Sequence, residues 1–286
     1  ISALAWLDIT DSCAYGLSVE QTPPTPKTTD PEATRIDVYL DQLTRVVSEH
    51  HLNHLRYVIT DGYYSKQKFT RGIRDLGLHQ LGKLRIDANL RYLYQGPQRP
   101  GRGRPQTYDG KVNWNDLTRF EKVETEDDHV VIYHQVLNHV QFQRNLRVVL
   151  VVDTQHNRRA MLFSTDVNLG ALTVYRYYKA RFQIEFLFRD AKQFTGLTDC
   201  QARSQAKLHF HFNASLSAVT LAKLEAHQQN GASALAFSMA SLKRRAFNQH
   251  LIERISQHLA QGHSLEKSSP EYEELCNYGT ITDLVA

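Results

Sequence analysis

At 286 residues, with 41% hydrophobic and 22% charged side chains, the chain can bury a substantial core, which excludes a disordered polymer. Its formal net charge of +4 permits nucleic-acid binding without demanding it. The three cysteines, Cys13, Cys200 and Cys276, are far apart and lack C-x-x-C spacing, which argues against a disulfide framework or zinc ribbon and fits a reducing cytoplasm. No apolar run approaches the roughly 20 residues of a membrane-spanning helix, so no membrane partner is expected.

The first residues, "ISALAWLDIT", lack a methionine and lie inside a strand-like run, which points to a fragment. "SALAWLDIT" and "AYGLSVEQT" flank the turn-prone "DSCA" and predict an antiparallel hairpin. "PPTPKTTDP" breaks regular structure. From Glu32 to about His51, Ile36, Tyr39, Leu40, Leu43, Val46 and Val47 recur at helical spacing and predict an amphipathic helix. "LRYVIT" reads as a buried strand that delivers Asp61, followed by Gly62, at its C-terminal tip. "YSKQKFTRGIRDLG" predicts a helix stopped near Gly77, and "HQLGKLRIDANLRYLY" a continuing strand.

A basic loop is predicted in "QGPQRPGRGRPQTYDGK", where prolines and glycines space Arg99, Arg102 and Arg104. "VVIYHQVLN", "LRVVLVVD" and "RAMLFSTD" then predict a β meander, and from Gly170 the pattern turns helical. The expected organisation is a first core segment over residues 1–94, a basic loop and β insertion over 95–169, a helical completion over 170–262 and a loosely held polar tail over 263–286. The fold class is α/β, a mixed sheet with flanking helices, interrupted by a β-rich insertion.

Within the helical part, "YRYYKARFQIEFLFRDAKQF" (175–194) carries charges among large apolar side chains. Wound as one helix at about 100° per residue, Arg181, Glu185 and Lys192 fall at about −60°, −20° and −40° from Tyr178, on one stripe. Phe182, Ile184, Phe186, Leu187, Phe188 and Phe194 occupy the remainder, so the helix is expected to be mostly enclosed with a polar seam. An Arg181–Glu185 surface pair would be the plain explanation, but Arg before Glu is the weaker orientation for such a pair. Buried charges need partners, water, a metal or an anionic ligand. Asp61 and Glu185 could together hold Mg²⁺, a hard cation that takes carboxylate oxygens, with Arg181 and Lys192 facing phosphates and Tyr178 donating to a phosphate or stacking on a base.

Tyr178, Arg181, Glu185 and Lys192 fit Y-x2-R-x3-E-x6-K without a gap, which resembles the YREK signature of bacterial cut-and-paste DDE transposases with a ribonuclease-H-like core. "YVITDGYYSKQKF" is similar to the segment around that family's second catalytic aspartate, and "AYGLSVEQTPP" to its early hairpin. The resemblance covers most of residues 1 to 225. It implies that Asp61 and Glu185 are the second and third metal-binding acids of a two-metal site (Mg²⁺, with Mn²⁺ possible as a substitute) that cleaves and transfers DNA strands by in-line displacement. It further implies that Tyr178, Arg181 and Lys192 contact transposon-end DNA, that the enzyme works as a homodimer on paired ends, and that it acts at the bacterial nucleoid.

One departure stands out: the family's core opens with three strands, the first bearing the first acid, and only two precede Glu32. The expectation is a truncated transposase that lacks its first catalytic aspartate and cannot cleave DNA alone. Asp8 could take that role but sits on the second strand, and Asp11 lies in a turn. Two alternatives stay open, a DNA-binding remnant without chemistry and an unrelated metal-dependent nuclease.

Other candidates are weaker. His50, His51, His54, His209 and His211 lack the thiolate or carboxylate partners of a zinc site. Asp87 is expected in a surface ion pair. Arg99, Arg102 and Arg104 suit a phosphate backbone; Trp114 suits the core or an unstacked base, and Lys243, Arg244 and Arg245 suit a DNA contact or a wet face.

Overall fold

The computed structural model of the chain describes residues 1–22, 33–98, 104–230, 237–258, 266–268, 270–277 and 280. The chain divides into two units, Ile1–Ser2 with Thr22–Gln183, and Ala3–Gln21 with Ile184–Ala286.

The first unit is built on one mixed sheet. Its first helix, α1 (Arg35–Glu49), starts at a capping box in which the Asp37 carboxylate accepts from the Thr34 N–H at 2.7 Å, and it buries Ile36, Leu43, Val46 and Val47. Strand β3 (Tyr57–Ile59), helix α2 (Gln67–Asp75) and strand β4 (His79–Leu84) form a crossover unit, so β3 and β4 run parallel, with Val58 opposite Gln80. The run expected as one strand from His79 to Tyr94 is two. The turn-forming "RIDAN" closes with Ala88 N–H on the Arg85 carbonyl at 3.1 Å, and β5 (Leu90–Leu93) pairs with β6 (Tyr108–Lys111) and β8 (Val130–His139) instead.

The meander is as the alternation predicts. β8, β9 (Arg144–Asp153) and β10 (Arg158–Ser164) pair antiparallel in sequence, β10 closes on β4, and β7 (Glu121–Glu124) pairs with β8. The sheet order β3-β4-β10-β9-β8-β5-β6 is therefore continuous, and the meander strands extend the sheet that carries β3 and β4. Met161 and Phe163 of β10 point to one face, with Leu90, Leu137 and Leu146; Leu162 points to the other, with Leu81, Ile132 and Val149. Helix α3 (Ala171–Ala180) covers that second face through Ala171 and Val174.

In the second unit the hairpin strands β1 (Ser2–Asp8, whose first residue belongs to the first unit) and β2 (Cys13–Glu20) form a two-stranded sheet. Helix α5 (Gln205–Asn230) lies along β2 and satisfies its backbone with side chains. The Asn213 amide accepts from Val19 N–H at 3.0 Å and donates to Val19 O at 2.8 Å, Gly16 N–H donates to Thr220 Oγ1 at 2.9 Å, and Lys223 Nζ donates to Ala14 O at 2.9 Å. Gly16 lets the helix approach, since a Cβ there would stand 3.3 Å from Leu216 Cβ. Helix α4 (Gln183–Phe194) sets Leu187 and Ala191 into the same core as Ala14, Val19, Leu216 and Val219.

Helix α6 (Met239–His258) follows, and the expected loose tail carries a further helix, α7 (Pro270–Asn277). α7 buries Tyr272 and Cys276 and pairs Glu273 with Arg245 at 2.6 Å, so apolar anchors at i and i+4 fix part of a segment whose composition reads as polar. The α/β class with a mixed sheet and flanking helices is the architecture observed, consistent with a ribonuclease-H-like fold. No helix of the described residues is long and apolar enough to cross a membrane.

Candidate active site

Asp61 is delivered as the strand-tip reading expects. Beyond β3, Thr60 N–H donates to the Leu81 carbonyl at 2.9 Å, extending the parallel ladder by one residue. The chain then leaves the sheet at Asp61, whose carboxylate caps a 3₁₀ turn, Gly62–Tyr64, by accepting from Tyr63 N–H at 2.8 Å. Asp61 is exposed, so its carboxylate is open to a cation. Ser65 Oγ donates to Lys83 O at 2.7 Å and ties the far end of the loop to β4.

Aromatic rings surround this turn. Tyr39 packs edge-on against Tyr63 at 6.0 Å and Tyr64 at 5.3 Å, and Lys66 Nζ stands 4.2 Å from the Tyr63 ring centroid. Burial, helped by the neighbouring Tyr39 and Asp61 and opposed by a Ser2 hydrogen bond, pushes the Tyr64 phenol up to about 12. Tyr64 is thus a neutral wall of the turn at physiological pH.

The second group of residues departs from the expected single helix. α3 ends at Ala180, and Arg181 N–H bonds to Tyr178 O at 3.2 Å and Phe182 N–H to Lys179 O at 3.1 Å, both i to i−3. Such bonds tighten the turn and break the 100° register. Tyr178 and Arg181 therefore belong to the end of α3 in the first unit, while Glu185 and Lys192 lie on α4 in the second. The stripe angles do not carry across the break. The helix is also less enclosed than predicted, because Phe182, Glu185 and Lys192 are exposed and α4 buries Leu187, Asp190 and Ala191.

Each half has a local logic. Tyr178 is half-buried against the Leu81, Leu162 and Val174 cluster, with the Arg181 guanidinium 5.6 Å from its ring centroid. Glu185 sits in the first turn of α4 and Lys192 in the last, where the helix dipole favours a negative and a positive charge respectively. Asp190, which the sequence does not flag, is 5% exposed and accepts from Arg189 Nε at 3.2 Å and Nη2 at 3.0 Å.

The remaining candidates fall as follows. Arg99 and Arg102 lie outside the described residues; Arg104 is exposed, just past Gln98, whose amide clamps Gln106 N–H and O at 2.9 Å each. Trp114 packs on the core beside Phe120, ring centroids 5.6 Å apart. Arg245 is paired with Glu273, while Lys243 and Arg244 are exposed. Asp87 pairs with Arg85 at 3.0 Å, as expected. Asp8 Oδ1 accepts from Thr10 N–H at 2.8 Å and Asp11 N–H at 3.0 Å, closing the hairpin turn, and Asp11 lies 3.8 Å from His227. Two stacked cations that the sequence did not announce are Arg91, 3.7 Å over Tyr108, and Arg119, 3.8 Å over Tyr92.

Among the described residues no three or more His, Cys, Asp or Glu side chains gather as a ready metal cluster. That donor chemistry still suits Mg²⁺, which keeps several waters and is commonly held by one or two carboxylates together with substrate phosphates.

A family model described as "Transposase DDE domain" matches residues 22–221. The match takes in Asp61 and all four residues of the Y-x2-R-x3-E-x6-K pattern. No curated protein matches the chain.

Proposed function

Because the chain belongs to the transposase DDE-domain family, we propose that it is the catalytic domain of a YREK-type cut-and-paste transposase, with Asp61 and Glu185 as metal-binding acids. The observation that carries this is Asp61 itself: an exposed carboxylate just past the C-terminal end of a half-buried parallel strand, on a turn tied to the neighbouring strand. Mg²⁺ held by these acids would supply charge stabilisation and nucleophile activation for in-line phosphoryl transfer.

The protein's own residues then bind and orient. Arg181 and Lys192 neutralise phosphates of the transposon end, and Tyr178 offers a ring and a hydroxyl to the same strand. Arg99, Arg102 and Arg104 neutralise further backbone phosphates and set part of the salt dependence. The substrate is transposon-end and target DNA in the bacterial cytoplasm, engaged by a homodimer on paired ends.

Asp8 is occupied by two backbone donors in its turn, which favours a structural role over that of a first catalytic acid. That observation supports a second reading, in which this chain alone grips DNA and metal without cutting. A Mg²⁺-dependent nicking and end-joining assay separates the two. Cleavage abolished by Asp61→Asn and by Glu185→Gln, and retained by Asp8→Ala, supports a complete enzyme. DNA binding without cleavage supports the gripping form, and cleavage untouched by either acid substitution rejects both acids as catalytic.

A further inference from the structure

Gln80 lies on β4, between the end strand β3 and β10 of the first unit's sheet, with no exposed surface, opposite Val58 on β3 and next to Leu81. An amide in such a place must satisfy every polar atom internally. Its backbone is fixed by Thr165 in both directions, Gln80 N–H donating to Thr165 Oγ1 and Thr165 N–H donating to Gln80 O, each at 2.9 Å. Its side chain is equally committed. Nε2 donates to Thr60 Oγ1 at 3.0 Å and to the Tyr64 carbonyl at 3.1 Å, and Oε1 accepts from Thr70 Oγ1 at 2.7 Å.

The orientation of the amide follows from its partners. The Tyr64 carbonyl can only accept, so the nitrogen faces the turn and the oxygen faces α2. Thr60 Oγ1, accepting from Gln80, directs its own proton to the Leu81 carbonyl at 3.2 Å. Both amide protons and the amide oxygen are thereby used.

The two residues that the Nε2 group holds stand on either side of the acid. Thr60 immediately precedes Asp61, and Tyr64 ends the turn that Asp61 caps. Asp61, Gly62 and Tyr63 between them are exposed, with the Tyr63 ring set against Tyr39, Tyr64 and Lys66. We propose that Gln80 is a positioning residue for Asp61: a buried amide that clamps both ends of the acid-bearing turn and so fixes where the carboxylate points. Its consequence for metal binding rests on Asp61 being a metal-binding acid. Its consequence for the turn does not. A leucine would match the apolar interior but leave Thr60 Oγ1, Thr70 Oγ1 and the Tyr64 carbonyl without this partner, so the glutamine answers a need for direction more than for burial.

The test uses the whole chain with Gln80→Leu, which removes all three side-chain bonds, and Thr70→Val, which removes only the bond from α2 and leaves both clamps. Amide hydrogen exchange reads the turn, and Mn²⁺ titration followed by electron paramagnetic resonance reads the metal. In Gln80→Leu the exchange of Tyr63 and Tyr64 should accelerate about tenfold and Mn²⁺ affinity should fall about tenfold, the loss expected for one or two hydrogen bonds. Thr70→Val should leave both within about twofold even if its melting temperature drops.

Unchanged turn exchange in Gln80→Leu overturns the proposal. So does equal acceleration across the sheet in both variants, which marks a general stabiliser, or a loosened turn with unaltered Mn²⁺ binding where Asp61→Asn abolishes it. Should Gln80→Leu fail to fold, Thr60→Val removes one of the two clamps, along with the Thr60 Oγ1 bond to Leu81 O, and its turn exchange decides in the same way. If Asp61→Asn binds Mn²⁺ like the parent, the metal role of Asp61 falls, and turn exchange still decides the role of Gln80.

Discussion

Asp61 stands on a short exposed turn whose ends are tied to a buried amide, whereas Glu185 stands on the first turn of a helix anchored by apolar side chains. A turn of three residues has no repeating hydrogen bonds and buries little, so directional polar contacts must hold it. A helix brings its own ladder, and one buried leucine two residues along fixes the first turn as well. The two acids thus depend on different forces: the loop acid on satisfied polarity, the helix acid on packing.

The largest effect that would break this contrast is at Leu187, 1% exposed on α4 among Ala14, Leu216 and Val219. Leu187→Ala should cost about 2 to 5 kcal/mol in denaturant unfolding, since the cavity adds to the lost transfer energy. A cost under about 1 kcal/mol would show that α4 is not held by its core.

The sheet that carries Asp61 should be the acid-sensitive part. Burial pushes the His139 imidazole down to about 4, and its Nδ1 accepts from Phe142 N–H at 3.2 Å while the ring stacks on Phe142. With the folded value below the ordinary 6.5, stability is fully present above about pH 6.5 and is lost as pH falls toward 4, by about 3 kcal/mol. His134, lowered by burial, adds to the same trend. His139→Asn, which keeps an acceptor and cannot titrate there, should flatten the pH dependence of unfolding over that window; an unaltered slope would contradict the assignment.

A smaller effect sharpens the contrast from the other side, because the second unit also uses polarity where a strand edge meets a helix. Asn213→Leu leaves Val19 N–H and O without their partners and should cost about 1 to 3 kcal/mol, seen as faster amide exchange along β2. The smallest change is expected at Lys192, exposed in the last turn of α4. Lys192→Gln should lower stability by under about 1 kcal/mol while reducing the salt slope of DNA binding by about one unit. An unchanged slope would remove Lys192 from the DNA contacts.

Much of this architecture was legible because its signals are local. The hairpin and the meander show alternation between turn residues, and Asp61 follows a compact β run and precedes a glycine. Glu185 is proposed from its spacing relative to Tyr178, Arg181 and Lys192. The break between α3 and α4 was hidden, since "KARFQ" contains neither glycine nor proline and would continue a helix by propensity. The split of β4 from β5 turned on "RIDAN", whose alternation continues through the turn. Gln80 was invisible for the opposite reason: one polar residue among others in "HQLGKL" gives no hint of four partners distant in sequence. α7 escaped because its two buried anchors are too few to show a period.

The central claim, that Asp61 and Glu185 serve one metal chemistry, is tested most directly by a double-mutant cycle of Mn²⁺ affinity over Asp61→Asn, Glu185→Gln and the pair. Asn at 61 keeps an oxygen to cap the turn, and Gln at 185 keeps the helix. The account predicts that either substitution alone weakens Mn²⁺ binding almost as much as both together, a coupling of about 1 kcal/mol or more. Losses that simply add, or Mn²⁺ binding indifferent to either residue, would contradict it.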